Sequence, residues 1–368
     1  RPVAEPVPPA RTGALYGGES LSVSRLEQFA ACPFQHYVTY GLRPVIRKDW
    51  RVEPIDTGTF YHAALNGFSR LAQQTPAYPA VPEATVNELA EQAMAPLLEA
   101  LNLGPLGDGE RSLHLQAVAR ETVRRAARTV TRHLAAGRFQ LERTEAAFGY
   151  PGGLPPLVLG LADGREIALR GYIDRIDRYD DGPSTYLRVI DYKSSRRDLD
   201  AAQTWWGLQL QLLLYLDAAQ ALAPNSVPAG AFYFYVADPL VESAEDAQAV
   251  VEGELRKLLQ LRGVALADVE VLSAMDEGLA GEVLPVLLTK EGKPYRNAKA
   301  LDRDQMRALL RHAREIAAEL ADRMLGGETA ARPWCQPQKL ACDLCDYRSV
   351  CGLDASAPDA PRFDAPPL

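Results

Sequence analysis

Gly171-Tyr172-Ile173-Asp174-Arg175-Ile176-Asp177-Arg178 and Val189-Ile190-Asp191-Tyr192-Lys193 flank the turn Asp180-Asp181-Gly182-Pro183. Both stretches read as strands, and the short turn makes them antiparallel neighbours. Side chains on a strand alternate faces, so Asp191 and Lys193 project from the same side. With Asp174 on the preceding strand, the hairpin gathers two carboxylates and one ammonium. Asp177 falls on the opposite face from Asp174 and is expected to be structural. An Asp-x-Lys on a surface hairpin would be merely solvated, but the apolar Val189-Ile190 run puts Asp191 at the end of a buried strand. The set suits Mg²⁺-dependent phosphodiester hydrolysis. Carboxylates hold the hard ion while leaving room for water and phosphate, the ion polarises the phosphate, and a lysine steadies developing charge.

Outward from the hairpin, Pro151-Gly152-Gly153 and Asp163-Gly164 mark further turns, so Ala146 to Lys193 reads as an antiparallel meander. A helix over 203–222, a β-rich run Ala231–Val236 and an amphipathic helix over 302–325 follow. Upstream, Ser24-Arg25-Leu26-Glu27 has capping-box spacing ahead of an apolar stripe of Leu26, Phe29 and Ala30. Pro33 interrupts that helix, and further helices are expected over 57–73, 83–102 and 111–136. Residues 241–300 are acidic and carry no clear motif, and no internal repeat is visible. Residues 1–18 are Pro/Gly-rich and read as a linker or a tail, and residues 354–368 as a Pro-rich tail. The order gives an α/β (α+β) core of αβββαβ type with added N-terminal helices, read as one domain over 19–353.

The 368 residues are 47% hydrophobic and 24% charged, enough for a full core and against wholesale disorder. Net charge is −8 (40 basic, 48 acidic), which excludes coating of nucleic acid by overall charge and leaves local patches. Residues 111–143 hold eight Arg and two Glu. Among them Arg120, Arg124, Arg128 and Arg132 form an i, i+4 stripe, a candidate phosphate contact or else a solvated or docking face. Arg303, Arg307, Arg311 and Arg314 form a similar series, and Trp205 and Trp206 are candidates for stacking on unpaired bases. No run is apolar and long enough to span a membrane, and no apolar leader opens the sequence. A cytoplasmic location is expected. With no initial Met, the chain is expected to be a fragment or a processed form, and no G-x-x-x-x-G-K-[ST] is present for nucleotide binding.

The hairpin resembles motifs II and III of PD-(D/E)xK nucleases of the RecB/AddB type. Gln211-Leu212-Leu213-Leu214-Tyr215 matches that family's Q-x-x-x-Y signature, with Gln211 and Tyr215 on one helix face. Gly58-x-x-x-His62-x-x-Leu65 resembles its helical motif, whose His is a metal ligand, and Glu145 fits a Glu preceding the first core strand. The resemblance implies Mg²⁺ on His62, Asp174 and Asp191, with Lys193 assisting the attacking water. Gln211 and Tyr215 would position phosphate or water, and Glu145 is an accessory candidate.

Five cysteines without a leader argue against a disulfide framework. Cys342-x2-Cys345-x5-Cys351 with the remote Cys32 suits a cluster that staples the two ends of a domain, and zinc is the alternative. The wording around Cys32-Pro33-Phe34 and Cys345-Asp346-Tyr347 is similar to the AddB nuclease domain. The resemblance thereby implies a structural 4Fe–4S cluster on Cys32, Cys342, Cys345 and Cys351. Cys335 has no place in that pattern and is expected as a free thiol. The resemblance further implies DNA as substrate, cleavage of an unwound 5′-ended strand at double-strand breaks, and an AddA-type helicase–nuclease partner. A stand-alone exonuclease of the CRISPR spacer-acquisition type and a catalytically silent DNA-binding scaffold remain as alternatives.

Overall fold

The computed structural model describes residues 7–16, 20–45, 57–102, 110–237, 248–285, 289, 292, 295, 298–336 and 339–354. Of the expected tails, residues 1–6, 17–18 and 355–368 lie outside the described residues. Strands are β1 (Ser20–Ser22), β2 (Gln140–Phe148), β3 (Leu157–Gly160), β4 (Glu166–Asp181), β5 (Ser184–Lys193), β6 (Val227–Tyr235), β7 (Arg262–Leu266), β8 (Ala300–Leu301), and a small hairpin of β9 (Cys335–Gln336) and β10 (Lys339–Leu340). Helices are α1 (Pro9–Tyr16), α2 (Val23–Ala31), α3 (Pro33–His36), α4 (Thr57–Gln74), α5 (Glu83–Asn102), α6 (Glu110–Ala135), α7 (Ala201–Trp205), α8 (Gln211–Ala219), α9 (Gln248–Leu258), α10 (Val269–Met275), α11 (Arg303–Leu325) and α12 (Arg348–Cys351).

The alternating run after Asp163-Gly164 folds as the 16-residue β4, the spine of an eight-stranded mixed sheet ordered β1-β4-β5-β6-β7-β8. Its first half pairs with β3 and β1, its second half with β2 and β5. The expected antiparallel strands form, but not as a simple meander, because β2 and β3 each pair with β4 and not with each other, and only β4 and β5 make a hairpin. β6 then returns parallel to β5 through the crossover helix α8, as a right-handed βαβ connection requires a helix to do.

Period two sorts β5 and β6 between two cores. Ile190, Tyr192, Phe232 and Phe234 pack with Leu65 and Phe68 of α4, Met94 of α5 and Val123 of α6. Leu187, Val189, Ala231 and Tyr233 pack with Leu26 and Phe29 of α2, Leu213 of α8 and Leu320 of α11. Both faces of the central strands are covered, which is why they read as nearly continuous apolar runs.

Four local expectations change. The helix over 203–222 is two helices broken at residues 206–210. Gly207 at φ +78 makes the break, and a Cβ there would lie 2.5 Å from Leu320 Cδ1. Helix α2 starts at Val23 with Ser22 as N-cap, and Ser24 closes no capping box, because Glu27 is used elsewhere. Part of the expected N-terminal tail is helix α1, docked through Thr12 Oγ1 donating to Leu325 O at 2.7 Å. Within 241–300, where no motif was legible, α9, β7 and α10 form, and β7 extends the sheet beside β6.

Candidate active site

The register of β4 on β5 runs Asp177↔Arg188, Ile176↔Val189 and Arg175↔Ile190, and then stops. One step further Asp174 and Asp191 face each other where the strands part. The freed backbone is satisfied by the site itself, with Tyr192 N–H donating to Asp174 Oδ2 at 2.7 Å. From the other edge β2 sets Thr144 against Arg175 and Ala146 against Ile173, so Glu145 lies opposite Asp174. Glu145 takes φ +46, a left-handed conformation that a glutamate adopts only when its surroundings impose it. Helix α4 brings His62, whose Nδ1 lies 3.2 Å from Asp174 Oδ1, while its ring rests edge-on against Tyr192 at 5.8 Å.

One ligand atom each from His62, Glu145 and Asp174 lie within 4.8 Å of one another. The structure thus brings Glu145 into the centre of the group that the hairpin motif anchors. Asp191 turns its Oδ2 to Lys193 Nζ. Lys193 in turn donates to Gln211 Oε1 at 3.2 Å, and Gln211 Nε2 donates to the Tyr215 hydroxyl at 3.1 Å. A single chain of polar contacts therefore joins the end of β5 to the first turn of α8, with Gln211 and Tyr215 on one helix face as their spacing requires.

The carboxylates and the imidazole of the group are strongly coupled electrostatically. Burial, and next the Asp174 carboxylate, push Asp191 up to about 7 against the pull of Lys193. Burial and Asp174 likewise raise Glu145. For His62 burial opposes protonation, but the hydrogen bond and charge of Asp174, with Asp191 beyond, prevail and raise it. Clustered carboxylates that hold protons in this way release them to a divalent ion.

Sequence reasoning missed Glu27. Its carboxylate accepts the N–H groups of Leu210 at 2.7 Å and Gln211 at 2.8 Å, crossing from α2 to cap the N-terminus of α8. Burial raises its pKa. The available signal was a carboxylate four residues after Val23 and three before Ala30, on the apolar stripe of an amphipathic helix. Asp177 is structural as expected. Fully buried, it accepts from Arg175 Nε at 2.6 Å, Arg175 Nη2 at 2.7 Å and Arg188 Nε at 2.9 Å.

The arginine stripe is not a free cationic face. Arg120 and Arg124 both bind Glu91 (2.7 and 2.8 Å), and Arg128 binds Glu83 and Glu121 (3.0 and 2.6 Å). Arg132 faces Glu252 at 3.8 Å. The i, i+4 spacing serves the packing of α6 on α5. In the second series Arg303, Arg307 and Arg314 face Asp268, Asp304 and Asp217. Trp205, a stacking candidate, already stacks on His312 at 4.5 Å.

Cys32 sits between α2 and α3, with Pro33 opening α3. It lines one pocket with Cys342, Cys345 and Cys351, together with Phe34, Gln35 and Arg348. Trp334 N–H donates to Ala31 O at 2.8 Å and Phe34 N–H to Ala330 O at 3.1 Å, so the chain's two ends meet there through backbone bonds. None of the five cysteines is in a disulfide. Burial and then the neighbouring thiols, Cys32 first, push Cys342 up to about 11. Cys335 lies outside this pocket, on β9.

Among the described residues no helix is long and apolar enough to cross a membrane. The chain is 34% identical over 343 residues to a subunit of the ATP-dependent helicase/deoxyribonuclease of Alkaliphilus oremlandii, covering 91% of this chain and 30% of that protein. It is 36% identical over 364 residues to the corresponding helicase/deoxyribonuclease subunit of Moorella thermoacetica, covering 96% and 32%. The chain spans about a third of the length of the curated relatives it matches. Residues 20–352 match the model of the PD-(D/E)XK nuclease superfamily. That match takes in the β4–β5 hairpin, α4, α8 and all five cysteines, and the chain belongs to the PD-(D/E)XK nuclease superfamily.

Proposed function

We propose that this chain is the nuclease part of an AddB-like subunit that hydrolyses DNA phosphodiesters with Mg²⁺. Its substrate is an unwound, 5′-ended strand delivered by an AddA-type helicase–nuclease partner during resection of double-strand breaks. The observation that carries this reading is the convergence of His62, Glu145 and Asp174 beside the Asp191–Lys193–Gln211 chain, where β4 and β5 part. The names of the relatives support the wider assignment.

The donor set fits a hard divalent ion, being two carboxylates and an imidazole with Asp191 at hand. Held there, Mg²⁺ supplies Lewis acidity to the scissile phosphate. The chain's own residues do the rest. Lys193, fixed by Asp191 and Gln211, presents its ammonium to the phosphate oxygen on which charge grows. Gln211 and Tyr215 orient the groups about it, and Glu27 fixes the helix turn from which Gln211 projects.

We also assign the pocket of Cys32, Cys342, Cys345 and Cys351 to a structural 4Fe–4S cluster. Four thiols and a single lining cation, Arg348, suit an anionic thiolate cluster.

Anaerobically purified protein, given end-labelled single-stranded DNA and Mg²⁺, is expected to shorten the label, and Asp191→Ala to leave it intact. Cleavage that survives Asp191→Ala overturns the assignment of the site. Stoichiometric iron and acid-labile sulfide are expected in the same preparation, and stoichiometric zinc in their place would overturn the cluster.

A further inference from the structure

Two and four residues before Asp174, strand β4 carries Tyr172 and Arg170, both exposed, and Tyr172 leaves 48% of its surface in water. Tyr150 stacks on Tyr172 with ring centroids 4.9 Å apart and planes 28° from parallel. The Arg170 guanidinium carbon lies 5.4 Å from the Tyr150 centroid. The group is held on rigid backbone. Tyr172 lies opposite Ala147 in the β2–β4 register. Leu154 N–H donates to Ala147 O at 2.7 Å and Gly149 N–H to Leu154 O at 2.9 Å, closing the turn that presents Tyr150. Gly149 at φ +71 lets that turn approach β4, since a Cβ there would lie 2.8 Å from Leu169 O. Other aromatics of the site, Tyr192, Tyr215 and Tyr233, are buried in the cores and offer no face to a ligand.

We propose that Tyr172, Tyr150 and Arg170 form a stacking platform for one unpaired nucleobase of the strand being cut. The inference rests on the nuclease reading and deepens it, because it selects the substrate class. Tyr172 is two residue steps from Asp174 along the strand, about 7 Å at the usual rise. A base on the platform therefore lies about one nucleotide unit from the phosphate at the carboxylates. Every base has a π-face, so the platform is indifferent to sequence, and Arg170 adds cation–π attraction and charge for the backbone. A base within a duplex is already stacked on its neighbours and cannot use the platform. Only single-stranded or frayed DNA gains from it.

The test pairs loss of the tyrosine with loss of the base. Binding of a labelled single strand is measured in EDTA, against copies of that strand with one abasic site moved position by position. Wild type is expected to lose about tenfold in affinity at one position, within what a base–aromatic stack is worth. Tyr172→Leu should lose about as much on the intact strand and nothing further on that abasic strand, while Tyr172→Phe restores the sensitivity. With Mg²⁺, Tyr172→Leu should raise KM for the single strand roughly tenfold. Tyr150→Leu provides an independent variant should Tyr172→Leu melt early. The platform is overturned if the tyrosine variants keep wild-type sensitivity to the abasic site, or lose the same factor on every strand. If wild type cuts single strands in a way that Asp191→Ala abolishes while the tyrosine variants match it, the platform alone fails. A wild-type protein that neither binds nor cuts sinks both readings.

Discussion

Asp174 and Asp177 stand three residues apart on β4 and are expected to fail in opposite ways when made neutral. Asp177 and its partners Arg175 and Arg188 are each no more than 1% exposed, and three hydrogen bonds of 2.6–2.9 Å join them. Asp177→Asn keeps the volume but leaves two guanidinium ions in the interior with no facing negative charge in contact. Breaking one side of a buried ion pair costs about 3–5 kcal/mol. An unfolding entropy of about 2.1 cal/mol/K per residue gives roughly 0.77 kcal/mol/K over the whole chain, so the melting midpoint should fall by about 4–6 °C. Asp174→Asn keeps an oxygen for the Tyr192 N–H and removes one of three crowded carboxylates. Its midpoint in EDTA should equal or exceed that of wild type, while cleavage is lost. Differential scanning calorimetry beside end-label cleavage reads both. An unmoved midpoint for Asp177→Asn, or an equal fall for Asp174→Asn, would refute the division into one structural and one metal-facing aspartate.

Glu27→Ala leaves the Leu210 and Gln211 N–H groups without their acceptor and should lower kcat by about 10–100-fold, the scale set by small misplacements of catalytic groups. Glu27→Gln should recover most of the activity, and full activity in Glu27→Ala would rule out a positioning role. Glu145→Gln should weaken Mg²⁺ binding by about tenfold in calorimetric titration yet raise the melting midpoint in EDTA, since it removes a negative charge crowded by Asp174 while leaving the backbone as it is. An unchanged Mg²⁺ affinity would return Glu145 to the surface. His36 is fully buried among Tyr16, Phe29 and Tyr40, and burial lowers it to about 3. Because the folded value lies below the ordinary one near 6.5, only the unfolded chain takes the proton between them, and stability falls as pH drops through that window. At pH 5 the difference from pH 8 is about 2 kcal/mol, 1.5 pH steps of about 1.36 kcal/mol. His36→Phe should abolish that increment in denaturant midpoints, and an identical pH slope in both proteins would refute it.

The parts of this site that were legible in sequence are those whose geometry is local. Asp191 and Lys193 share a face because strands have period two, Gln211 and Tyr215 because helices bring i and i+4 together, and the Asp180-Asp181-Gly182-Pro183 turn fixes the hairpin that carries Asp174. What was not legible depends on contacts between distant segments. The left-handed backbone of Glu145 answers to the β2–β4 register, which no property of residues 140–148 alone dictates. Glu27 has the spacing of a local cap and serves a helix whose first residues lie far along the chain. The arginine stripe shows the same dependence on distant contacts. Spacing puts Arg120, Arg124, Arg128 and Arg132 on one face of α6, but whether that face meets phosphate or carboxylate depends on what packs against it, and Glu83 and Glu91 of α5 reach it first. Tyr150, Tyr172 and Arg170 form a small cationic and aromatic surface on and beside β4, the strand that carries Asp174. On the proposal above, a strand held by Arg170, Tyr150 and Tyr172 would meet the carboxylates along the same backbone that fixes Asp174, so that binding and cleavage would share one rigid element.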